Sequence, residues 1–372
     1  MLGIETEQNR IFGLDFLRAI AIFFVVHGHG AFLLNDTHFA FFNKTPFPDV
    51  VDIFFVLTGF LIGSSFLSYA KKNNGVDIRK TLWFYARSAL RILPCYFVIL
   101  FAYIMLVQGQ LVLGDLHKFP MWRFATFTQN LFTPFYDFYW ESWCLPVQWW
   151  FYIIFPLLLT IFSKKVEARR LTPLICLGFI LFSILFRISV SDQATEWFWW
   201  DVWIRKTVAS RCDAIFIGVM VAWVQLYAPV VWQRHSLKFL LAGLVLLVVV
   251  VSVPQQPGTL YKNVFSCTIQ PVAFAMLLPS AAKLSQSRTS FEGIITHVSV
   301  LSYSMYLINL MIVQLIVANF SETAKQWGAW SYVIYWIAVI VLSYMLYILV
   351  EKPFMKLRKR VTFVSPQISQ RP

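Results

Sequence analysis

GLDFLRAIAIFFVVHGH, residues 13–29, decides the fold of this chain. The stretch places an Asp, an Arg and two His residues inside an apolar segment that is long enough to cross a bilayer. Ionisable side chains at membrane depth cost roughly 3 kcal/mol each on insertion scales, so they are rare and usually functional. The stretch therefore predicts a membrane-spanning helix that contributes to a functional site.

The spacing of the polar residues predicts which of them share a face of this helix. Arg18 and His29 are eleven residues apart, about three helical turns, so they share one face and lie roughly 16 Å apart along the axis. His27 points away from that face and is more typical of a structural residue. We expect one helix to carry a cation near one side of the membrane and an imidazole near the other.

The composition is that of a polytopic membrane protein. Hydrophobic residues make up 59% of the 372 residues and charged residues 13%, whereas a soluble globular chain carries about 25% charge. We predict an all-α membrane protein in which residues 1–361 form a single transmembrane domain and residues 362–372 form a short polar cytoplasmic tail. The five Cys residues have no metal-ligand spacing, so no metal site is predicted.

Ten apolar stretches predict about ten transmembrane helices, and the charges between them predict their orientation. The stretches are residues 11–34, 50–70, 82–107, 145–163, 171–190, 208–227, 237–253, 264–282, 298–318 and 331–350. Basic residues follow the even-numbered stretches, for example at 71–80, 164–170 and 356–360. By the positive-inside rule both termini are cytoplasmic. This accounts for much of the net charge of +13 without a nucleic acid partner.

Depth in the membrane sorts the remaining polar residues into two groups. Arg18, Arg87 and Arg91 are expected at the cytoplasmic side, where guanidinium groups suit a phosphorylated donor. His29 and Asp52 are expected in the outer half of the membrane. An imidazole is the usual general base near neutral pH, so His29 is a candidate for that role. Two other interpretations stay open: Arg87 and Arg91 as anchors that reach to lipid headgroups, and His29 as a packing residue.

Seven blocks of sequence occur in order along essentially the whole chain. They are Arg18 and His29 with ten residues between them, VDIFFVLTGFLI (51–62), FYAR (84–87) with LRILPCY (90–96), WCLPVQ (143–148) leading to FY (151–152), RCDA (211–214), LSYSMYLI (301–308) and EKP (351–353). In these blocks the chain resembles acyltransferase family 3, membrane proteins that O-acylate carbohydrates and other extracytoplasmic acceptors. Any one block is modest evidence, but seven in register favour membership.

The resemblance implies an acyl-CoA co-substrate and no tightly bound cofactor. Arg18, Arg87 and Arg91 would lie near the phosphates of acyl-CoA, and the pantetheine arm would run toward His29. In the first mechanism, His29 deprotonates the acceptor hydroxyl, which attacks the thioester. A covalent acyl-His29 intermediate is the second. Acetyl is the family's commonest acyl group, and succinyl is an alternative.

The resemblance also implies residues that act around His29. Asp52 would orient the imidazole or stabilise its protonated form, and Gln148 or backbone donors would stabilise the oxyanion. The acceptor, a carbohydrate or glycolipid of the cell envelope, is expected to bind near Trp143, Tyr152, Arg211, Asp213 and Asn309. We expect a multi-pass protein of the bacterial cytoplasmic membrane.

The chain departs from the family pattern at several positions. Cys144 and Gln148 stand where Ser and Glu are usual, and Asn309 stands where His is frequent. Gln148 can only hydrogen-bond, so a mechanism that needs a carboxylate there is not expected. Two alternative functions stay open: a transporter or flippase of a polar lipid or sugar, and a catalytically altered family member.

Overall fold

The computed structural model describes residues 10–35, 37–41, 47–284 and 290–361, which form helices and helical turns and no strand. The long helices are α1 (Phe12–Gly30), α2 (Val51–Asn73), α3 (Ile78–Gln108), α4 (Cys144–Phe162), α5 (Ala168–Val190), α6 (Val208–Tyr227), α7 (Ser236–Ser252), α8 (Ser266–Ala281), α9 (Ser290–Trp327) and α10 (Ala329–Leu346). Short helices lie at Met121–Ala125, Trp197–Trp200, Pro229–Arg234 and Lys352–Arg360. Ala31–Leu34, Trp140–Trp143 and Ser191–Gln193 are 3₁₀ turns, and Asp201–Arg205, Tyr261–Phe265 and Tyr347–Glu351 are π-helical turns. The predicted tail, residues 362–372, lies outside the described residues.

The prediction of an all-α polytopic membrane protein is confirmed. Within the described residues, nine helices are long and apolar enough to cross a membrane. Each of the ten predicted stretches forms a helix. The seventh, α7, has only 17 residues, whereas α8 continues the π-helical turn Tyr261–Phe265 and with it reaches 21 residues. A helix of 17 residues spans about 25 Å, which is less than the roughly 30 Å hydrocarbon core of a bilayer. The ten predicted spans are therefore nine long helices and one short apolar helix.

Both ends of the described chain lie at the same end of the helix bundle. The indole Nε1 of Trp83, near the start of α3, donates to the carbonyl of Val361 at 3.0 Å. Arg10, just before α1, and Lys359, in the last short helix, line one cavity. We call this end the basic end, and the opposite end, where α1 carries His29, the histidine end. The predicted cytoplasmic orientation of both termini is compatible with this arrangement.

Helices α2 and α6 pack against each other at backbone distance. A Cβ atom on Gly59 of α2 would lie 1.9 Å from the carbonyl oxygen of Ile215, and one on Gly218 of α6 would lie 2.1 Å from that of Val56. Small residues permit this approach between membrane helices, which associate by packing and hydrogen bonding rather than by the hydrophobic effect. The close approach fixes which residues of the two helices meet.

Helix α1 is held between α9, α2 and α10. Gly30 leaves room for the ring of Tyr335 on α10, which lies 2.3 Å from where a Cβ atom would be. The Tyr335 hydroxyl donates to the carbonyl of Val26 at 2.9 Å. On another side of α1, Arg18 and His29 both contact side chains of α9. They therefore share one face of the helix, as their spacing predicts.

We expect Gly59→Ala to destabilise the protein and Gly178→Ala to leave it neutral or slightly stabilised. A Cβ at position 59 overlaps the backbone of α6, which should cost about 1–3 kcal/mol, whereas nothing lies within 4 Å of a Cβ at position 178. Replacing glycine in an open helix interior should instead gain about 0.5–1 kcal/mol. Thermal unfolding in detergent, followed by circular dichroism, checks this. Equal melting temperatures for the two variants would contradict the close packing.

Candidate active site

The basic end contains a cavity of about 280 Å³ that is rich in cations. We call it the basic cavity; its charged lining residues are Arg10, Asp15, Arg18, Arg91, Glu351, Lys352, Lys356, Arg358 and Lys359. Both carboxylates are engaged within the protein. Asp15 accepts from Arg10 and from Ser299 Oγ, and Glu351 accepts from Ser304 Oγ at 2.7 Å. The excess of cations suits a phosphorylated ligand.

Arg87, which the sequence predicts to bind the donor phosphates, does not line the basic cavity. Its Nη1 donates to the carbonyl oxygens of Arg358 at 2.9 Å and Val361 at 3.2 Å. Its guanidinium lies 4.8 Å from the ring centroid of Trp83. The last carbonyls of a helix have no intrahelical partner, so they are strong acceptors for a nearby cation. Arg87 therefore holds the helix Lys352–Arg360 against α3.

A narrower cavity of about 120 Å³, the middle cavity, adjoins the basic cavity and shares Arg18 and Arg91 with it. Gln148 and Tyr152 of α4 line it, and the Tyr152 hydroxyl donates to Gln148 Oε1 at 3.4 Å. The sequence predicts both beside His29, Tyr152 at the acceptor and Gln148 at the oxyanion. The structure places both deeper, between the cations and the imidazole, because they lie further into the bundle along α4.

The histidine end holds a larger cavity of about 580 Å³, which is within the usual range of ligand sites. We call it the histidine cavity; its polar and aromatic lining includes His27, His29, Asp49, Trp143, Trp197, Trp200, Arg205, Arg211, Gln255, Lys262, Gln270 and Tyr306. Trp143 and Arg211, both predicted to contact the acceptor, therefore line the same cavity as His29. Tyr306 also lines the middle cavity, so the three cavities adjoin one another in a row.

Asn309 fixes the orientation and the tautomer of His29. The Asn309 amide nitrogen donates to the backbone carbonyls of Met305 and Tyr306, each at 2.8 Å. The Asn309 oxygen therefore faces His29 Nδ1, and because this oxygen can only accept, Nδ1 carries the hydrogen. The lone pair of the ring then lies on Nε2, which is the atom that can act as a base. The sequence predicts Asn309 at the acceptor; the structure places it fully buried against His29 Nδ1, outside the lining of the histidine cavity.

Asp52, which the sequence pairs with His29, has other partners in the structure. One carboxylate oxygen accepts from Arg211, and the other accepts from Gln270 Nε2 at 2.6 Å. Both Asp52 and Arg211 are almost completely buried. A buried carboxylate needs a counter-charge, because leaving it unpaired would be strongly destabilising. The guanidinium of Arg211 on α6 supplies that charge to Asp52 on α2. The imidazole of His29, when neutral, would not supply it.

Asp213, predicted to contact the acceptor, lies away from the histidine cavity. Its Oδ2 accepts from Arg187 at 2.9 Å and from Thr268 Oγ1 at 2.6 Å. The Asp213 and Arg187 side chains are 0% exposed. Positions 211 and 213 are two residues apart on α6, so their side chains point in different directions. Asp213 consequently joins α5, α6 and α8 in a buried ion pair instead of entering the site.

Several residues that line the histidine cavity are not predicted from the sequence, among them Asp49, Trp200, Arg205 and Lys262. Arg205 Nε donates to Asp49 Oδ2 at 2.6 Å. Burial raises the pKa of the Asp49 carboxyl, but the adjacent Arg205 guanidinium outweighs this effect and lowers the pKa to about 2. Asp49 is therefore charged at neutral pH, and the ion pair persists. The run WFWWDVWIRK at 197–206 is the sequence signal for this aromatic and basic wall.

The apolar helix bundle with an internal polar site defines a multi-pass integral membrane protein. A family model described as an acyltransferase domain, that of acyltransferase family 3, matches residues 11–350. The chain therefore belongs to acyltransferase family 3, which makes it a membrane acyltransferase. No curated protein and no solved structure shows significant similarity to the chain. In the part of the chain that the structure describes, no group of three His, Cys, Asp or Glu side chains could hold a metal ion.

We expect a double-mutant cycle on Asp52→Asn and Arg211→Gln to show strong coupling. Each single substitution disrupts a buried ion pair and should cost about 3–5 kcal/mol of unfolding free energy, while the double variant should lose less than the sum. The matched cycle on Asp52→Asn and His29→Ala should show coupling below about 0.5 kcal/mol, because the two side chains have different partners. Denaturant unfolding in detergent micelles measures both cycles. Strong coupling between Asp52 and His29 would contradict these contacts.

Proposed function

We propose that the protein transfers an acyl group, in the first instance acetyl, from cytoplasmic acyl-CoA to a hydroxyl group across the membrane. The acceptor is a carbohydrate or glycolipid of a bacterial cell envelope, and the membrane is the cytoplasmic one. The observation that carries the proposal is the row of three adjoining cavities between the cations of the basic end and His29. Such a row suits a long thioester whose phosphates and reactive carbon must be held far apart. Family membership supports acyl transfer in general.

The phosphates of the donor are assigned to the basic cavity. Arg18 and Arg91 line both this cavity and the middle cavity, and guanidinium groups bind phosphate through paired hydrogen bonds. The helix Lys352–Arg360 adds further cations to the basic cavity, and Arg87 acts indirectly by holding this helix. The pantetheine arm then runs through the middle cavity, and its thioester end reaches the junction with the histidine cavity. There the Gln148 amide donates to the thioester carbonyl as negative charge develops on its oxygen.

The transfer step follows from the tautomer of His29. Nε2 takes the proton of the acceptor hydroxyl while the hydroxyl oxygen attacks the carbonyl carbon of the thioester. A C–O bond forms, the C–S bond breaks, and the imidazolium returns the proton to the departing thiolate of CoA. The products are an acyl ester and free CoA, so the step needs no further reactant. Throughout the reaction, the Asn309 oxygen accepts a hydrogen bond from Nδ1–H and keeps the imidazole ring aligned.

We expect His29→Ala to lower acyl transfer at least about 100-fold, because it removes the general base. His27→Ala is the matched comparison, because it removes a second imidazole from the same helix and the same cavity lining. His27 Nδ1 bonds to the hydroxyl of Tyr332 on α10, so His27→Ala should lower transfer far less than His29→Ala. The measurement is transfer of label from [14C]acetyl-CoA to total envelope glycans in membranes that carry each variant.

The outcomes of this assay separate the candidate functions. Equal transfer by His29→Ala and wild type would contradict the role of His29 and leave acyl transfer intact. If wild type gives no label, the same assay is run with labelled succinyl-CoA. Failure with both donors would contradict the proposed reaction and favour a transporter or a catalytically altered family member.

We expect Asn309→Leu to lower kcat about fivefold and to leave KM for acyl-CoA unchanged. The substitution removes the acceptor that holds His29 Nδ1, and a lost hydrogen bond of this kind is worth roughly 1 kcal/mol. Asn319→Leu is the control on the same helix, because the Asn319 amide bonds only to backbone carbonyls at the exposed end of α9. Steady-state kinetics on the purified variants checks this. A raised KM with unchanged kcat would contradict a positioning role for Asn309.

A further inference from the structure

The charged side chains around the histidine cavity are almost all paired with each other. The ion pairs are Arg211 with Asp52, Arg205 with Asp49 and with Asp201, and Lys206 with Asp201. Four cations and three carboxylates belong to this group when Lys262 is included. Lys262 is the one that makes no ion pair with a carboxylate of the described residues. Among these described residues, the cations therefore outnumber the carboxylates by one.

The surroundings of Lys262 hold this cation firmly at the cavity. The residue lies in the π-helical turn Tyr261–Phe265 and is only 8% exposed. Its Nζ lies 3.8 Å from the ring centroid of Trp200 and 5.2 Å from that of Trp197. It also donates to Gln255 Oε1 at 3.0 Å. The aromatic rings stabilise the charge by cation–π contact and fix its position beside the cavity.

Among the residues that the structure describes, no carboxylate forms an ion pair with this ammonium group. Lysine has three N–H donors, and Gln255 accepts from one of them. A nearly buried cation without an anion carries a desolvation penalty that a neutral amide offsets only in part. An anionic ligand in the cavity would remove that penalty. The same cavity holds His29, so one ligand can meet both groups.

We propose that the acceptor is an anionic glycan, whose phosphate or carboxylate group pairs with Lys262 while one of its hydroxyl groups faces His29. This proposal rests on the proposed function and specifies its substrate class. The negative charge belongs either to the saccharide itself or to the phosphate of a lipid carrier. Both sources present the same chemistry to Lys262, and the experiment distinguishes them.

The test offers the enzyme two pools of acceptor that differ in charge. Envelope glycans are separated by anion exchange into a retained anionic pool and an unretained neutral pool, and each receives label from acyl-CoA in the presence of wild-type protein. Label in the retained pool is the expected result. Label confined to the neutral pool would overturn the anionic acceptor while supporting acyl transfer. Label in neither pool would overturn the proposed function as well.

Variants at Lys262 show whether this residue binds the anionic group of the acceptor. Lys262→Met keeps the apolar stem and removes the charge, so KM for the anionic pool should rise about tenfold. Lys262→Arg should restore most of the affinity, which shows that loss in the methionine variant is not a folding defect. Lys118→Met, at an exposed lysine paired with Asp137, should behave as wild type. An unchanged KM in Lys262→Met would overturn the assignment.

Solvent extraction of the labelled product identifies the source of the charge. A product that partitions into organic solvent carries its anion on a lipid, and one that stays in water carries it on the glycan. Either result supports pairing with Lys262, provided that Lys262→Met reduces labelling of that same fraction. A labelled fraction that Lys262→Met leaves unchanged counts against the proposal.

Discussion

An ionised side chain inside a membrane needs a partner of opposite charge or a full set of hydrogen bonds, because lipid supplies neither. This constraint organises the centre of the protein. Asp52 meets Arg211 across the glycine contact of α2 and α6, and Asp213 meets Arg187 in a second buried pair. The pairs lock the helices that surround the histidine cavity. Because Asp52 and Asp213 are paired with arginines, neither carboxylate contacts His29. The side-chain partner of His29 is the neutral amide of Asn309.

The fold and part of the site follow from the sequence, because they depend on local chemistry. Apolar stretches predict the helices, and the spacing of Arg18 and His29 predicts their common face. Which polar groups pair cannot be deduced in the same way, since partners come from distant segments brought together by packing. Asp52 therefore pairs with Arg211 instead of His29, and Arg87 turns to the carbonyls of a C-terminal helix.

The arrangement divides the proposed reaction by position in the bundle. Cations that suit phosphates gather at the basic end, a narrow cavity continues from them, and the oriented imidazole stands in the wider cavity beyond. Gln148 and Tyr152 line this narrow cavity, which is the part proposed for the donor arm. The arrangement also separates the groups proposed for two recognition tasks: Arg18 and Arg91 line the basic cavity proposed for the coenzyme, while Lys262 and the tryptophans line the histidine cavity proposed for the acceptor.

The most direct test of this account is acyl transfer across a sealed membrane. Inside-out vesicles expose the cytoplasmic face, and labelled acyl-CoA, which does not cross a bilayer, is added outside while the glycan acceptor is enclosed within. The account predicts label on the enclosed glycan and none on the same glycan added outside. Label on the outer glycan alone would contradict the central claim that donor and acceptor enter from opposite ends of the bundle.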